Sequence, residues 1–99
     1  MSRTDEAYIN SKLDESFARI ERLTKGEKER QLNALYNIAK RGRKRIQDIN
    51  AEGMSPVDFA RSVIMAIDYA VGNKLNGTLT RERETISRLL KEAEQADHQ

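Results

Sequence analysis

A cluster of cations is the part of this sequence that could do chemistry, because five of the six residues from Lys40 to Arg45 (KRGRKR) are basic. Lysine and arginine bind phosphate oxygens through charge and hydrogen bonds, so such a cluster is typical of a contact with nucleic acid or another polyanion. The formal net charge of the 99-residue chain is only +2, whereas residues 24–50 hold eight basic and three acidic side chains. The positive charge is therefore concentrated in one segment.

Winding this segment into a helix separates the cations into two groups. A heptad-like seam is predicted from apolar and small residues that recur at spacings of three and four, namely Leu32, Leu35, Ala39, Gly42, Ile46 and Ile49. The small seam residues would let another helix approach closely. We predict a binding site for nucleic acid or an acidic partner on the opposite face and its borders, at Arg30, Lys40, Arg41, Arg43, Lys44 and Arg45. The alternative is a solvated face whose cations pair with acidic residues of neighbouring helices.

Catalytic and metal-binding residues are scarce in this chain. It contains no cysteine, and its one histidine, His98, is the penultimate residue. Enzymes need converging nucleophiles, acid–base pairs or metal ligands, and no such spacing is present. We therefore expect no catalytic residues, no bound metal and no cofactor.

Two DNA-reading motifs fit the middle of the chain poorly. A recognition helix starting near residue 56 would present Val57, Asp58 and Phe59 to the bases, and these are apolar or negative. A ribbon-helix-helix motif needs a strand, but residues 31–45 have helical periodicity. The sequence therefore favours phosphate contacts over base reading if nucleic acid is bound.

Four helices in a single domain are predicted to carry these residues, over about 4–23, 27–50, 55–75 and 79–96, followed by a frayed C-terminal tail. The first helix is predicted from an apolar stripe at helical spacing, namely Ile9, Leu13, Phe17, Ile20 and Leu23. Thr24 and Glu27 have the spacing of a capping box at the start of the second helix, although Gly26 could instead end the first. Ser55 and Asp58, on either side of Pro56, predict the start of the third helix. Asn76-Gly77 is expected to close it.

The expected fold is all-α, a small four-helix assembly whose centre is an antiparallel hairpin of residues 27–50 and 55–75. The third helix is apolar nearly all round, which is typical of a buried helix or of one that meets another subunit. One face holds Val57, Ala60, Ile64, Ile67, Val71 and Leu75. The opposite face holds Phe59, Ala66 and Tyr69, which we predict to form a protein interface anchored by Tyr69.

These features favour a non-catalytic regulatory or interaction protein that acts through helical surfaces. We expect an oligomer, most simply a dimer, because charged residues make up 34% of the chain and the core of a monomer would be thin. Direct nucleic-acid binding through the second helix is the alternative.

No apolar run approaches the roughly 20 residues of a membrane span, and no signal peptide is evident. A cytoplasmic protein without membrane contact is therefore expected.

Overall fold

The computed structural model describes residues 3–70, 72 and 75–97, which form four α-helices. These are α1 (Arg3–Thr24), α2 (Arg30–Gln47), α3 (Pro56–Tyr69) and α4 (Asn76–Asp97). The described residues include no strand, and the all-α prediction is confirmed. None of the helices in the described part of the chain has the length and apolar character needed to cross a membrane.

The four helices pack as a square bundle in chain order. Both α1 and α3 contact α2 and α4, while α1 and α3 barely meet across the diagonal. The connections are short, so neighbouring helices run antiparallel. In the α2–α3 pair, Arg30 at the start of α2 lies beside Tyr69 at the end of α3. The predicted antiparallel pairing of these two helices is therefore confirmed.

Each helix contributes one apolar stripe to the core. The stripe predicted for α1 is buried at Ile9, Leu13, Phe17 and Ile20. Its neighbours bury small and branched side chains against it, and these are Leu32, Leu35, Ala39, Ala60, Val63, Ala66, Ile67, Ala70, Leu79, Ile86, Leu89 and Ala93. The core-facing side of α3 thus centres on Val63 and Ala66 as well as Ala60 and Ile67, whereas the predicted stripe residues Val57 and Ile64 are only half-buried.

Gly42 is buried in α2 at the point where that helix passes closest to Phe17 and Phe59. A Cβ atom at this position would lie 2.7 Å from Cε2 and 2.9 Å from Cδ2 of Phe17, and 3.3 Å from Cβ of Phe59. These separations are too short for two carbon atoms, which rest about 3.5–4.0 Å apart. The close packing predicted for Gly42 is therefore a property of the fold.

The second helix is shorter at both ends than the predicted range of 27–50. Thr24 belongs to α1, where its buried hydroxyl donates to the Ile20 carbonyl at 2.7 Å, so the predicted capping box does not form. Gly26 instead ends α1 in a left-handed conformation with φ +79°. At the other end α2 stops at Gln47, which leaves Ile49 outside the helix and 82% exposed, so its place in the seam was wrongly predicted.

The third helix begins as predicted and ends early. The Ser55 side chain accepts a hydrogen bond from the Asp58 backbone N–H, and the Asp58 carboxylate accepts one in return from the Ser55 backbone N–H. The helix ends at Tyr69 rather than near residue 75, and Asn76 starts α4 instead of closing α3. Gly72 has φ +93° in this connection, a conformation that a helix does not admit. Val71 lies outside the described residues, as do His98 and Gln99 of the predicted frayed tail.

Candidate binding surface

The exposed side of α2 carries the largest group of predicted site residues. Leu32, Leu35, Ala39 and Gly42 turn one side of this helix into the core. At 100° per residue, the opposite side must carry Arg30, Lys40, Arg41 and Lys44, and all four are exposed. None of these four cations forms an ion pair with a carboxylate of the described residues. We call them the basic face of α2.

Arg43 is separated from the basic face, because its guanidinium points to α1. Its Nη1 atom lies 2.6 Å from the Glu21 carboxylate, and its Nε atom lies 3.4 Å from the Asp14 carboxylate. The hydrogen bond with Glu21, reinforced by the charge of Asp14, raises the pKa of Arg43 above its ordinary value. At this position the structure agrees with the alternative that the sequence left open, in which a cation pairs with a neighbouring helix.

Arg45 and Lys40 also have local contacts. The Nη1 atom of Arg45 donates to the Asp48 carbonyl at 3.1 Å, and its Nε atom is buried without a hydrogen-bond partner among the described atoms. The Nζ atom of Lys40 lies 5.9 Å from the centre of the Tyr36 ring, within the range of a cation–π contact. Lys40 still faces solvent, whereas Arg45 lies half-buried at the border of the helix.

A polar cluster, which the sequence analysis did not predict, bridges the contact between α1 and α4. Glu82 is buried on α4, where it accepts hydrogen bonds from the Ser16 hydroxyl at 2.8 Å and from the Arg19 guanidinium at 2.9 and 3.1 Å. The hydrogen bond with Glu82 raises the pKa of Arg19 above its ordinary value. The cluster satisfies its own charges and occupies one side of the bundle.

The contact between α3 and α4 is also bridged by ion pairs. Arg83 holds the Asp68 carboxylate through two hydrogen bonds of 2.7 and 3.2 Å, which lowers the pKa of Asp68 below its ordinary value. Arg61 lies 3.6 Å from Glu94 across the same contact. Arg61 and Asp68 of α3 are therefore paired with α4, on the side away from α2.

An apolar groove runs between α2 and α3 on the side of the bundle opposite the Glu82 cluster. It encloses about 520 Å³ and is lined by Arg30, Gln31, Ala34, Ile38, Ser62, Met65, Ala66 and Tyr69. We call it the α2–α3 groove. Among the described residues, Arg30 is the one charged residue that lines it, and Met65 and Tyr69 are 58% and 76% exposed on its rim.

The predicted interface residues Phe59, Ala66 and Tyr69 take different positions in this region. Ala66 is buried in the wall of the groove and Tyr69 lies on its rim. Phe59 is half-buried about two helical turns before Ala66, in a second opening of about 540 Å³ that Arg41, Lys44 and Arg45 also line. The sequence reasoning missed Met65 as a rim residue, although its spacing of four residues from Tyr69 would have placed both side chains on one face.

The described residues offer no alternative site with obvious chemistry. No group of three or more histidine, cysteine, aspartate or glutamate side chains is placed to hold a metal ion in the part of the chain that the structure describes. Comparison of the chain with protein families, curated proteins and solved structures finds no match.

Proposed function

We propose that this chain is a non-catalytic regulatory or interaction protein that binds another protein through the side of the bundle formed by α2 and α3. The observation that carries the proposal is the α2–α3 groove, where Met65 and Tyr69 expose apolar surface beside the cations of α2. An exposed apolar cluster with a charged rim is typical of a protein contact surface. Tyrosine is also enriched among the residues that dominate binding energy.

The proposal is tested by replacing Tyr69 with a photoreactive phenylalanine and irradiating the native cells. We expect covalent protein adducts that survive nuclease treatment, because the rim of the groove contacts the partner. The matched control is the same replacement at Tyr8, which is 54% exposed on α1. Equal adducts at both positions, or no protein adduct at position 69, would contradict the proposal.

Nucleic-acid binding through the basic face of α2 is the second candidate. It is favoured by four exposed cations that have no ion pair among the described residues. Phosphate binding would release counterions, so the affinity for DNA or RNA should fall steeply as salt is raised. The double variant Arg41→Glu/Lys44→Glu should abolish this binding, whereas Arg88→Glu/Lys91→Glu on α4, with the same change in charge, should retain most of it. Absence of any shift at low salt would exclude this candidate.

Self-association stays a prediction, and light scattering tests it. If α3 is a subunit interface, Tyr69→Asp should reduce the mass of the particle, because a charge would enter an apolar contact. A monomeric mass for the unaltered protein would contradict the predicted oligomer.

We propose the cytoplasm as the location of this protein, since a chain without cysteine is compatible with a reducing compartment. Fractionation of the native cell checks this location.

A further inference from the structure

The four side-by-side helix contacts of the bundle differ in how they are bridged. Ion pairs cross the α1–α2, α1–α4 and α3–α4 contacts, whereas the described residues form none across the α2–α3 contact. The acidic side chains of α3 do not reach α2, because Asp58 binds Ser55 and Arg61, and Asp68 binds Arg83. The cations beside the α2–α3 groove consequently have no counter-charge on the facing helix.

The described residues that line the groove include a cation but no anion. Along α2, Arg30 lies at one end, and Arg41 follows three turns later in the adjoining opening. Between them the described residues that line the α2–α3 groove are apolar or neutral, and none of these is acidic. Asp48 and Glu52 line the adjoining opening together with Arg41. A partner that fills this space therefore needs apolar side chains at its centre and negative charge along the flank that faces α2.

The length and shape of the groove fit a helix. Arg30 in the groove and Arg41 in the adjoining opening are separated along α2 by about 16 Å at 1.5 Å per residue, the length of about three helical turns. Met65 and Tyr69 stand one turn apart on the α3 rim, as do Ala34 and Ile38 on α2. An amphipathic helix presents anchors at the same intervals, through side chains three, four and seven residues apart.

We propose that the α2–α3 groove binds an acidic amphipathic helix of another protein, an inference that rests on the proposed function and specifies its partner. Apolar side chains of that helix pack against Ile38, Met65 and Tyr69. Its carboxylates lie on the flank next to α2, where they pair with Arg30 at one end and with Arg41 at the other. The flank next to α3 stays neutral, because Arg61, the one cation of α3, is already paired with Asp58 and Glu94.

A second copy of this chain fits the groove less well. A two-fold contact presents the same surface on both sides, so the basic face of one α2 would meet the basic face of the other. Like charges in such a contact are repulsive. Nucleic acid would match the basic face, but phosphates gain nothing from the exposed apolar surface of Met65.

The test is a selection from an unbiased display library of peptides about 18 residues long, using the intact protein as bait. We expect the enriched peptides to carry apolar residues at helical spacing and acidic residues on one flank. Tyr69→Asp should weaken the binding of an enriched peptide at least about tenfold, as for a residue that dominates an interface. Tyr8→Asp should leave the affinity within about twofold, since surface changes away from the contact have little effect.

The charge pairing is tested by reversing both sides. Arg30→Glu/Arg41→Glu should lose the acidic peptide and should bind the same peptide with its glutamates changed to lysine. The control Arg88→Glu/Lys91→Glu should keep the original preference. Circular dichroism of each variant confirms that the helices are retained, and a helical variant that ignores the charge of the peptide would overturn the assignment of Arg30 and Arg41.

Three further outcomes would overturn the inference. Enriched peptides without an acidic flank would remove the charge argument. An oligonucleotide of about 20 nucleotides that displaces the peptides in a Tyr69-dependent manner would show that this surface binds nucleic acid instead. A dimer that Tyr69→Asp dissolves would show that the groove binds a second copy. If photocrosslinking at position 69 still captures a protein while the peptide selection fails, the proposed function survives and only the acidic helix is rejected.

Discussion

Replacing Gly42 with alanine adds one methyl group at a crowded point of the α2 seam. The new Cβ would lie 2.7 Å from Cε2 of Phe17, whereas two carbon atoms rest about 3.5–4.0 Å apart. The ring must therefore move by roughly 1 Å, and it has no route to solvent because Phe17 is fully buried. The variant tests whether the bundle can widen at this point.

The expected free-energy change follows from two opposing terms. Overpacking of a well-packed core costs about 1–3 kcal/mol. Alanine recovers about 1 kcal/mol of helix propensity relative to glycine. We expect Gly42→Ala to lower the free energy of unfolding by about 1 kcal/mol, which corresponds to a fall in Tm of about 4–8 °C for a domain of this size.

Gly77→Ala is the matched control, because it makes the same substitution without the contact. Gly77 is an exposed residue of α4, and a Cβ there would have no atom within 4 Å. Its variant should equal or exceed the stability of the unaltered protein, by up to about 1 kcal/mol. Urea denaturation of all three proteins, followed by circular dichroism, gives the comparison.

The result that refutes this reasoning is a Gly42→Ala protein as stable as Gly77→Ala. The double variant Phe17→Leu/Gly42→Ala adds a second check, since a smaller side chain at position 17 makes room for the methyl group. Its free-energy loss should be smaller than the sum of the two single losses by at least about 0.5 kcal/mol. Simple additivity would show that the two side chains do not compete for space.

Three further predictions concern polar contacts of the bundle. Ser55→Ala should destabilise the protein by about 1 kcal/mol in urea titrations, because it removes the N-cap of α3, and an unchanged midpoint would contradict the cap. Glu82→Gln should cost about 1–2 kcal/mol through its lost charged hydrogen bonds, whereas the exposed Glu84→Gln should stay within about 0.5 kcal/mol. Because Arg83 lowers the pKa of Asp68 below 3.8, the contribution of this carboxylate is present above that pH and is lost as the pH falls through the lower folded-state pKa. The difference in stability between the unaltered protein and Asp68→Asn should be small at neutral pH, because the side chains of Arg83 and Asp68 are both exposed. This difference should vanish in acid, and a difference that grows as the pH falls would contradict the direction assigned to the pKa.

Local patterns in the sequence predicted the elements whose determinants lie within one or two turns. The stripe of Leu13, Phe17 and Ile20 indicated the buried side of α1, and Ser55 with Asp58 indicated the first turn of α3. Both signals depend on helical spacing alone, and the structure confirms them. The four-helix architecture followed from the same periodicity.

The errors occurred where a local pattern admits two structures. Thr24 and Glu27 have the spacing of a capping box, but a threonine hydroxyl also bonds the carbonyl four residues back within a helix, and Thr24 does so. Ile49 continued the spacing of the α2 seam beyond the real end of the helix at Gln47. Apolar periodicity does not by itself mark the residue at which a helix stops.

The division of the basic cluster depended on contacts between helices. Sequence alone placed Arg43 at the border of the seam, but its partners Asp14 and Glu21 lie on a helix that is more than 20 residues away in the chain. Which carboxylates reach which guanidinium is decided by the packing of α1 against α2. The same limit applies to Arg30, whose place beside Tyr69 arises only when α2 and α3 pair.

The two ion pairs that Arg43 forms with α1 affect the orientation of α2 about its own axis. Two carboxylates a little less than two turns apart hold one guanidinium, so they fix the rotational register of α2 about its own axis. A turn of α2 by one residue would pull this guanidinium away from α1 and would carry Arg41 and Lys44 toward a neighbouring helix. Arg43 thus holds the orientation of α2 in which Lys40, Arg41 and Lys44 face solvent, and its own charge is neutralised by carboxylates of α1.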